Sequence, residues 1–478
     1  MERPSVERPP APVKGRVLEH AAVALNVNAS RFAFFFASRP LALRVVLIYA
    51  ASRIWGWFIF STVGLHQTYS PWKNTSMGYL EFVTIWDADW YAKIADHGYP
   101  SVLPVGASGQ VAQNEWAFYP LYPFISGTIS RLTGLDYQVL APTISLLFGF
   151  GAAWMIYRLF EASLRTRRLA LTFDTNQYGG GQAVTGQRAG RNTGGAHTGG
   201  AHTIEAHTDR APTSEVETTA LWATAAVSFC AIAPILQTGY AEATGLFFLA
   251  WALFWLVQQR YLLLLIPALG AALSRPVGVP LGAAVGLWWL ICWGAQAREQ
   301  GFLRALRSTG LQLASALAVC AFAFIHPALA WAATGRMDAY TATEAAWRAG
   351  GENVLPFVPW LTQSQLYLGQ VLGPLVLLLL LLLYLLCLSA PVTRRVLHPA
   401  LITWCAAYAL YMLAFFNPQS STFRLLLPLF PLLLPLVALS ASRAYRWLLI
   451  ISGATLQFGW VGWLWHWKQL PGGGDYPP

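Results

Sequence analysis

Charge is what this chain has least of. Only 11% of its 478 residues are Asp, Glu, Lys or Arg, where a soluble domain carries roughly 25%. That shortage excludes an ordinary water-soluble globule, and a hydrophobic content of 56% points to a chain that crosses a bilayer repeatedly. Lysine is nearly missing, being confined to Lys14, Lys73, Lys93 and Lys468, so arginine carries most of the basic charge behind the net +10. The arginines fall in short loops between apolar runs, which is the positive-inside pattern and excludes a nucleic-acid partner. Cysteine is scarce as well. Cys230, Cys292, Cys320, Cys387 and Cys405 all lie inside apolar runs without metal-like spacing, so they read as small buried hydrophobes rather than a disulfide framework. No cleavable leader is expected, because the first long apolar run has no cleavage signal after it.

Apolar runs of spanning or near-spanning length occur at 41–63, 137–160, 218–234, 240–257, 261–273, 277–293, 309–331, 366–388, 397–416, 425–440 and 446–467. The expected fold is therefore all-α and integral to the membrane, a polytopic bundle of about eleven transmembrane helices. The abundant Trp and Tyr suit interfacial belts. Phe118–Arg131 reads either as a short span or as a re-entrant, interfacial element.

Orientation follows from the basic loops. Arg3, Arg8, Lys14 and Arg16 precede the first span, while Arg165, Arg167 and Arg168 follow the second. Arg298, Arg304 and Arg307, then Arg394 and Arg395, then Arg443 and Arg446 occupy later loops. With a cytoplasmic N-terminus and eleven spans, all these groups land inside. The division expected is a cytoplasmic tail over 1–40 and a first membrane part over 41–162 with a large extracytoplasmic loop at 64–117. A low-complexity cytoplasmic insert over 163–217, a transmembrane bundle over 218–467 and an extracytoplasmic tail over 468–478 complete it. In the insert, His197, His202 and His207 recur every five residues. Helical metal pairs need spacings of three or four, and the intervening Gly and Thr oppose a helix, so the insert reads as a disordered linker.

The unusual polar residues fall on the opposite, outer side. Trp86-Asp87-Ala88-Asp89-Trp90-Tyr91 places two carboxylates among three large aromatics beside a membrane. Charges there are costly unless they have work to do, and aromatic walls both grip sugar rings and raise a carboxyl pKa. The spacing predicts a helix over Trp86–Gly98 with Trp86, Trp90 and Ile94 on one face, ended by Gly98. Asp89 lies four residues before Lys93 and reads as its ion-pair partner. Asp87 has no local cation, so it is the better general base and Asp89 the second candidate. A helical Asp-x-Asp points its acids apart, so a divalent metal is not favoured. Tyr240 and Glu242 open a span, where Glu242 also suits the helix dipole. Arg275 sits in a Ser-Arg-Pro break between two half-length runs, and Arg424 precedes another span. Each suits a phosphate oxyanion, with snorkelling to headgroups as the alternative. Trp347, and Glu344 beside it, are candidates for a substrate wall.

These motifs carry a resemblance. Trp-Asp-Ala-Asp-Trp-Tyr-Ala-Lys-Ile-Ala-Asp-His-Gly-Tyr over 86–99 resembles the signature of the PIG-V-type mannosyltransferases, which add mannose in GPI-anchor synthesis, and of their bacterial relatives. Ala-Phe-Tyr-Pro-Leu-Tyr-Pro at 117–123, Gly-Tyr-Ala-Glu-Ala at 239–243 and Ser-Arg-Pro-Val-Gly at 274–278 follow in that family's order. The resemblance implies a GT-C-type helical bundle with an extracytoplasmic active site and a lipid-phosphate sugar donor. It implies that Asp87 is the catalytic base. The insert at 163–217 departs from the pattern.

The function expected is inverting transfer of a hexose, mannose by the resemblance, from polyprenyl-phosphate-mannose to an envelope lipid or glycan, in the cell membrane and without a cofactor. Asp87 and Asp89 are the catalytic candidates. The substrate-contacting candidates are Trp86, Trp90, Tyr91, Tyr119, Tyr122, Tyr240, Glu242, Arg275, Trp347 and Arg424. A transporter or lipid flippase is the rival, although no internal repeat is visible and the polar residues gather at one face. A non-catalytic membrane partner in envelope assembly is the third reading.

Overall fold

The computed structural model describes residues 36–107, 109–179, 211–348, 355–470 and 478, with the backbone alone described over 168–179 and 211–214. Its architecture is all-helical, with no strand among the described residues beyond one isolated bridge between Val105 and Val111. The principal helices are α1 (Leu41–Leu65), α2 (Asp87–His97), α3 (Leu121–Thr133), α4 (Tyr137–Gly179) and α5 (Ala211–Phe229). They continue as α6 (Glu242–Val257), α7 (Tyr261–Ser274), α8 (Gly278–Gln300), α9 (Gly310–Phe322) and α10 (Ile325–Thr334). The last are α11 (Ala339–Ala346), α12 (Val358–Leu368), α13 (Leu372–Ser389), α14 (Pro399–Phe415) and α15 (Arg443–Trp460).

Every expected apolar run is helical, whole or in pieces, but length separates them. Six segments among the described residues are long and apolar enough to cross a membrane: Leu41–Leu65, Tyr137–Arg167, Gly278–Gln300, Gly310–Thr334, Leu372–Val396 and Arg443–Trp465. Glu242–Val257, Tyr261–Ser274, Pro399–Phe415 and Leu427–Ala438 are apolar but shorter. The 16 residues of α6 rise about 24 Å, short of a hydrocarbon core of roughly 30 Å. Pro428, Pro431 and Pro435 break the last of the four into a 3₁₀ turn and a six-residue helix. On length and composition the chain is thus a helical membrane protein, with six candidate spans and four shorter apolar helices among the described residues. The exposed face of α13 is a run of leucines from Leu378 to Leu383, and only 6% of its apolar window is buried. A helix that apolar on all sides belongs in lipid.

The segment read as short span or re-entrant is the 13-residue α3, which lies against α2 and α4. Gly127 permits that approach, since a Cβ there would come 2.8 Å from the Cβ of Ala95 on α2. The supposed linker over 163–217 is helical at both ends, because α4 continues to Gly179 and α5 starts at Ala211. Ser163 is fully buried, and its hydroxyl bridges the Val396 carbonyl and the His398 amide at 2.8 Å each. The repeat carrying His197, His202 and His207 lies outside the described residues.

Helix α4 packs along α6, α6 against α7, and α8 against both α9 and α14. Because α6 and α7 are joined by the tight turn 258–260, the start of α6, the end of α7 and the start of α8 share one end of the bundle. The opposite end gathers basic groups. There Arg44 pairs with Glu217, and Arg167 donates to the Arg394 carbonyl at 2.8 Å. One buried cation is spent on the scaffold: Arg53 of α1 donates to the Ser228 carbonyl at 2.9 Å and to that of Ala233, satisfying the end of α5.

The loop ahead of α3 is stapled across the same end as the start of α6. Asn114 hydrogen-bonds the Thr343 hydroxyl on α11 at 3.0 Å, and the Trp116 carbonyl meets His326 Nε2 on α10 at 2.9 Å. Stacking of Tyr99 on Trp116, 4.2 Å between ring centres, fills the space beneath.

Candidate functional site

Four charged side chains, from four segments far apart in sequence, meet where α6 begins. Glu242 stands in the first turn of α6, where the macrodipole favours an acid. Arg275 occupies the extended residue between α7 and α8, where the Ser-Arg-Pro sequence stops one helix before the next starts. Arg424 lies in the short turn Thr422–Leu425, and Asp87 is the first residue of α2. The Asp87 carboxylate is 2.6 Å from Arg424 Nη1. Glu242 Oε1 is 3.6 Å from that same nitrogen and 3.3 Å from Arg275 Nη2.

The cluster is formally neutral and almost dry, with side-chain exposure of 10% for Asp87 and Arg424 and 4% for Glu242. Burial of two ion pairs is expensive, so the arrangement is not explained by stability. Neither carboxylate oxygen of Glu242 has a donor at hydrogen-bonding geometry, although both are buried. Glu242, Arg275 and Arg424 form the polar wall of a small cavity whose other wall includes Leu246, Leu249 and Leu427. The cavity is about 30 Å³, room for a water, with charged groups at one end and hydrocarbon along the other.

Tyr240 fixes the centre. Its hydroxyl accepts the Asp87 backbone N–H at 2.9 Å, and its ring lies 5.3 Å beneath the Arg424 guanidinium. Trp86, immediately before Asp87, has φ 64° and ψ −126°. A bulky residue there costs about 1–3 kcal/mol, and such strain gathers at functional sites. Tyr91 packs edge-on to Tyr122 and Phe118, at 5.2 Å each. Burial pushes its hydroxyl well above its usual range, so Tyr91 stays protonated and is no competing base.

The structure sorts the candidates. Asp87, Tyr240, Glu242, Arg275 and Arg424 come together. Trp90 and Trp347, 5.3 Å apart, form an aromatic corner with Phe118. Glu344, three residues before Trp347, has its carboxyl raised by burial, opposed by the Tyr340 hydroxyl and the charges of Arg348 and Arg275. Tyr119 sits farther round, its hydroxyl 3.2 Å from that of Tyr340. Tyr122 is enclosed and satisfied, donating to the Ala141 carbonyl at 2.8 Å. Trp86 is enclosed too, with its indole N–H on the Trp465 carbonyl at 2.8 Å.

Asp89 does not pair with Lys93. It accepts the indole N–H of Trp72, while the Lys93 ammonium sits 4.1 Å over the Trp90 ring. Burial raises the Asp89 carboxyl, and the Trp72 hydrogen bond and the Lys93 charge oppose that rise. Asp87 and Asp89 thus face different partners, as the helical reading of Asp-x-Asp requires.

Sequence reasoning missed Trp72, Gly245 and Tyr408, which lines the cavity beside Arg275 and Arg424. Trp72 and Tyr408 give no local signal. Gly245 falls three residues after Glu242 on one face of α6, and that spacing is a usable clue. A Cβ at Gly245 would lie 2.9 Å from Arg275 Cγ, so the missing side chain is what lets Arg275 reach Glu242.

No protein-family model and no curated protein matches this chain.

Proposed function

We propose that this chain is an inverting glycosyltransferase of the GT-C type that moves a hexose, mannose by its motifs, from a polyprenyl phosphate to an envelope lipid or glycan outside the membrane. The observation that carries the reading is the contact of Asp87 with Arg424, which lines a small, mostly apolar cavity together with Arg275 and Glu242. Asp87 takes the proton of an acceptor hydroxyl as its oxygen attacks the anomeric carbon. The bond from that carbon to the phosphate oxygen breaks, and the lipid phosphate leaves with its charge held by Arg275 and Arg424. Arg424 holds Asp87, so an incoming phosphate must exchange with a carboxylate before the base is free. Two guanidinium forks provide for that exchange without added charge. Trp90 and Trp347 supply the aromatic corner for the sugar.

The proposed topology takes all eleven runs across the bilayer, with the short helices lining the bundle and the cluster on the extracytoplasmic side. Its support is the separation of the arginine-rich end from the Asp87 end, which matches the positive-inside rule. A cysteine placed at Ser76 or Ser108 should react with an impermeant thiol reagent in intact cells, and one at Thr193 should not. Labelling at Thr193 alone would invert the orientation and remove the mechanism. Mass spectrometry of envelope lipids and glycans from a deletion strain should show loss of one hexose from one species. Unaltered envelope chemistry would leave the enzyme reading without a product.

Gly245→Ala isolates the arginine geometry. Alanine is the better helix former by about 1 kcal/mol, but its Cβ would lie 2.9 Å from Arg275 Cγ and disturb the buried Arg275–Glu242 pair, so that gain is offset and thermal stability should not rise. Arg275 is displaced by the new Cβ, and the donor KM should rise about tenfold, the value of one charge-assisted contact. A donor KM equal to wild type would show that Arg275 does not meet the donor.

A further inference from the structure

The turn that carries Asp87 is held from the far end of the chain. After α15 the helix widens into a π turn over Val461–Trp465, and such turns cluster at functional sites. Trp465 at its end is fully buried and donates its indole N–H to the Phe82 carbonyl at 2.8 Å. Its own carbonyl accepts the indole N–H of Trp86, also at 2.8 Å. Trp465 therefore holds residues 82–86 at both ends, across the bend where Trp86 adopts its positive φ. The Trp465 ring also lies 5.2 Å from that of Tyr240, whose hydroxyl takes the Asp87 amide. Gln67 anchors the segment further, accepting the Trp467 amide at 2.8 Å and donating to its carbonyl at 3.2 Å. A strained backbone persists only where its surroundings over-determine it, and here part of those surroundings belongs to the C-terminal segment.

We propose that Trp465 is a positioning residue that holds the Trp86 bend and so aims the Asp87 carboxylate. The assignment rests on the role given to Asp87 above, but the clamp itself can be tested without any transfer assay. Trp465→Phe keeps an aromatic ring, though a smaller one, and removes the indole donor. Trp460→Phe is the matched control, since the Trp460 indole N–H is buried in the same segment without an acceptor.

In the full-length protein, amide hydrogen exchange over Trp86–Tyr91 should quicken in Trp465→Phe and stay at the wild-type rate in Trp460→Phe. Turnover in Trp465→Phe should fall about three- to tenfold, the value of one hydrogen bond, with donor KM unchanged. In an Asp87→Asn background the same substitution should cost nothing further, because its effect passes through Asp87. Equal exchange in both tryptophan variants, or an equal rate loss with and without Asp87, would overturn the clamp. Altered exchange in a protein that transfers no sugar would retain the clamp and reject the proposed reaction.

Discussion

Asp87→Asn should lower sugar transfer by about 10²–10⁴-fold, the usual contribution of a general base, while the protein folds and still binds donor. Asparagine keeps the size of the side chain and an oxygen for Arg424, but it cannot take the acceptor's proton. Asp89→Asn should cost far less. Its role in the structure is to accept the Trp72 indole N–H, and an amide oxygen can do the same, so the loss should stay within about 1.5 kcal/mol of stability. Transfer from polyprenyl-phosphate-mannose in membranes, with expression matched, gives the comparison. A nearly normal Asp87→Asn beside an inactive Asp89→Asn would exchange the two assignments, and normal activity in both would remove this helix from the chemistry.

The second large effect concerns the two arginines, which should fail in different ways. Arg275→Lys keeps the charge and loses the planar fork, so transfer should drop about 10–100-fold with the fold intact. Arg424 is paired with both carboxylates, at 2.6 Å and 3.6 Å. Arg424→Gln leaves those buried acids with one cation between them, and breaking such a pair costs about 3–5 kcal/mol. That variant should lose thermal stability as well as activity, and Asp87→Asn combined with it should recover part of the stability. Equal activity of Arg275→Lys and wild type would return Arg275 to the snorkelling role. A stable, active Arg424→Gln would show that the cluster is a surface feature.

Much of the site was legible because its residues break local rules. A charged acid among apolar residues, an arginine in a Ser-Arg-Pro break and two acids among tryptophans are each costly to bury, and Glu242, Arg275 and Asp87 do converge through Arg424. The helix over 86–98 was readable from its spacing and from Gly98, which ends α2 with φ 75°. Other features were not local. The partner of Asp89 is 17 residues upstream, so the i,i+4 rule pointed to Lys93 instead. The clamp on Trp86 comes from a residue 379 positions away, and nothing at 461–465 marks a π turn in the sequence. Hydropathy marked the runs without separating long helices from short ones because it weighs composition, whereas Pro428, Pro431 and Pro435 limit how far an apolar run can continue as one helix. The long insert misled at its edges for the opposite reason. Its low complexity hid the fact that the flanking helices run on into it, as buried Ser163 shows.

The most direct measurement follows the donor. Purified protein, reconstituted in vesicles with an extract of envelope lipids and glycans, is given polyprenyl-phosphate-mannose labelled in the sugar. The expected result is consumption of the donor, release of free polyprenyl phosphate, and labelled mannose on a new carrier with its anomeric configuration inverted. Asp87→Asn protein should leave the donor intact over the same period. Donor that survives with wild-type protein, or label that only changes leaflet while still joined to polyprenyl phosphate, would contradict the transferase and point to a transporter.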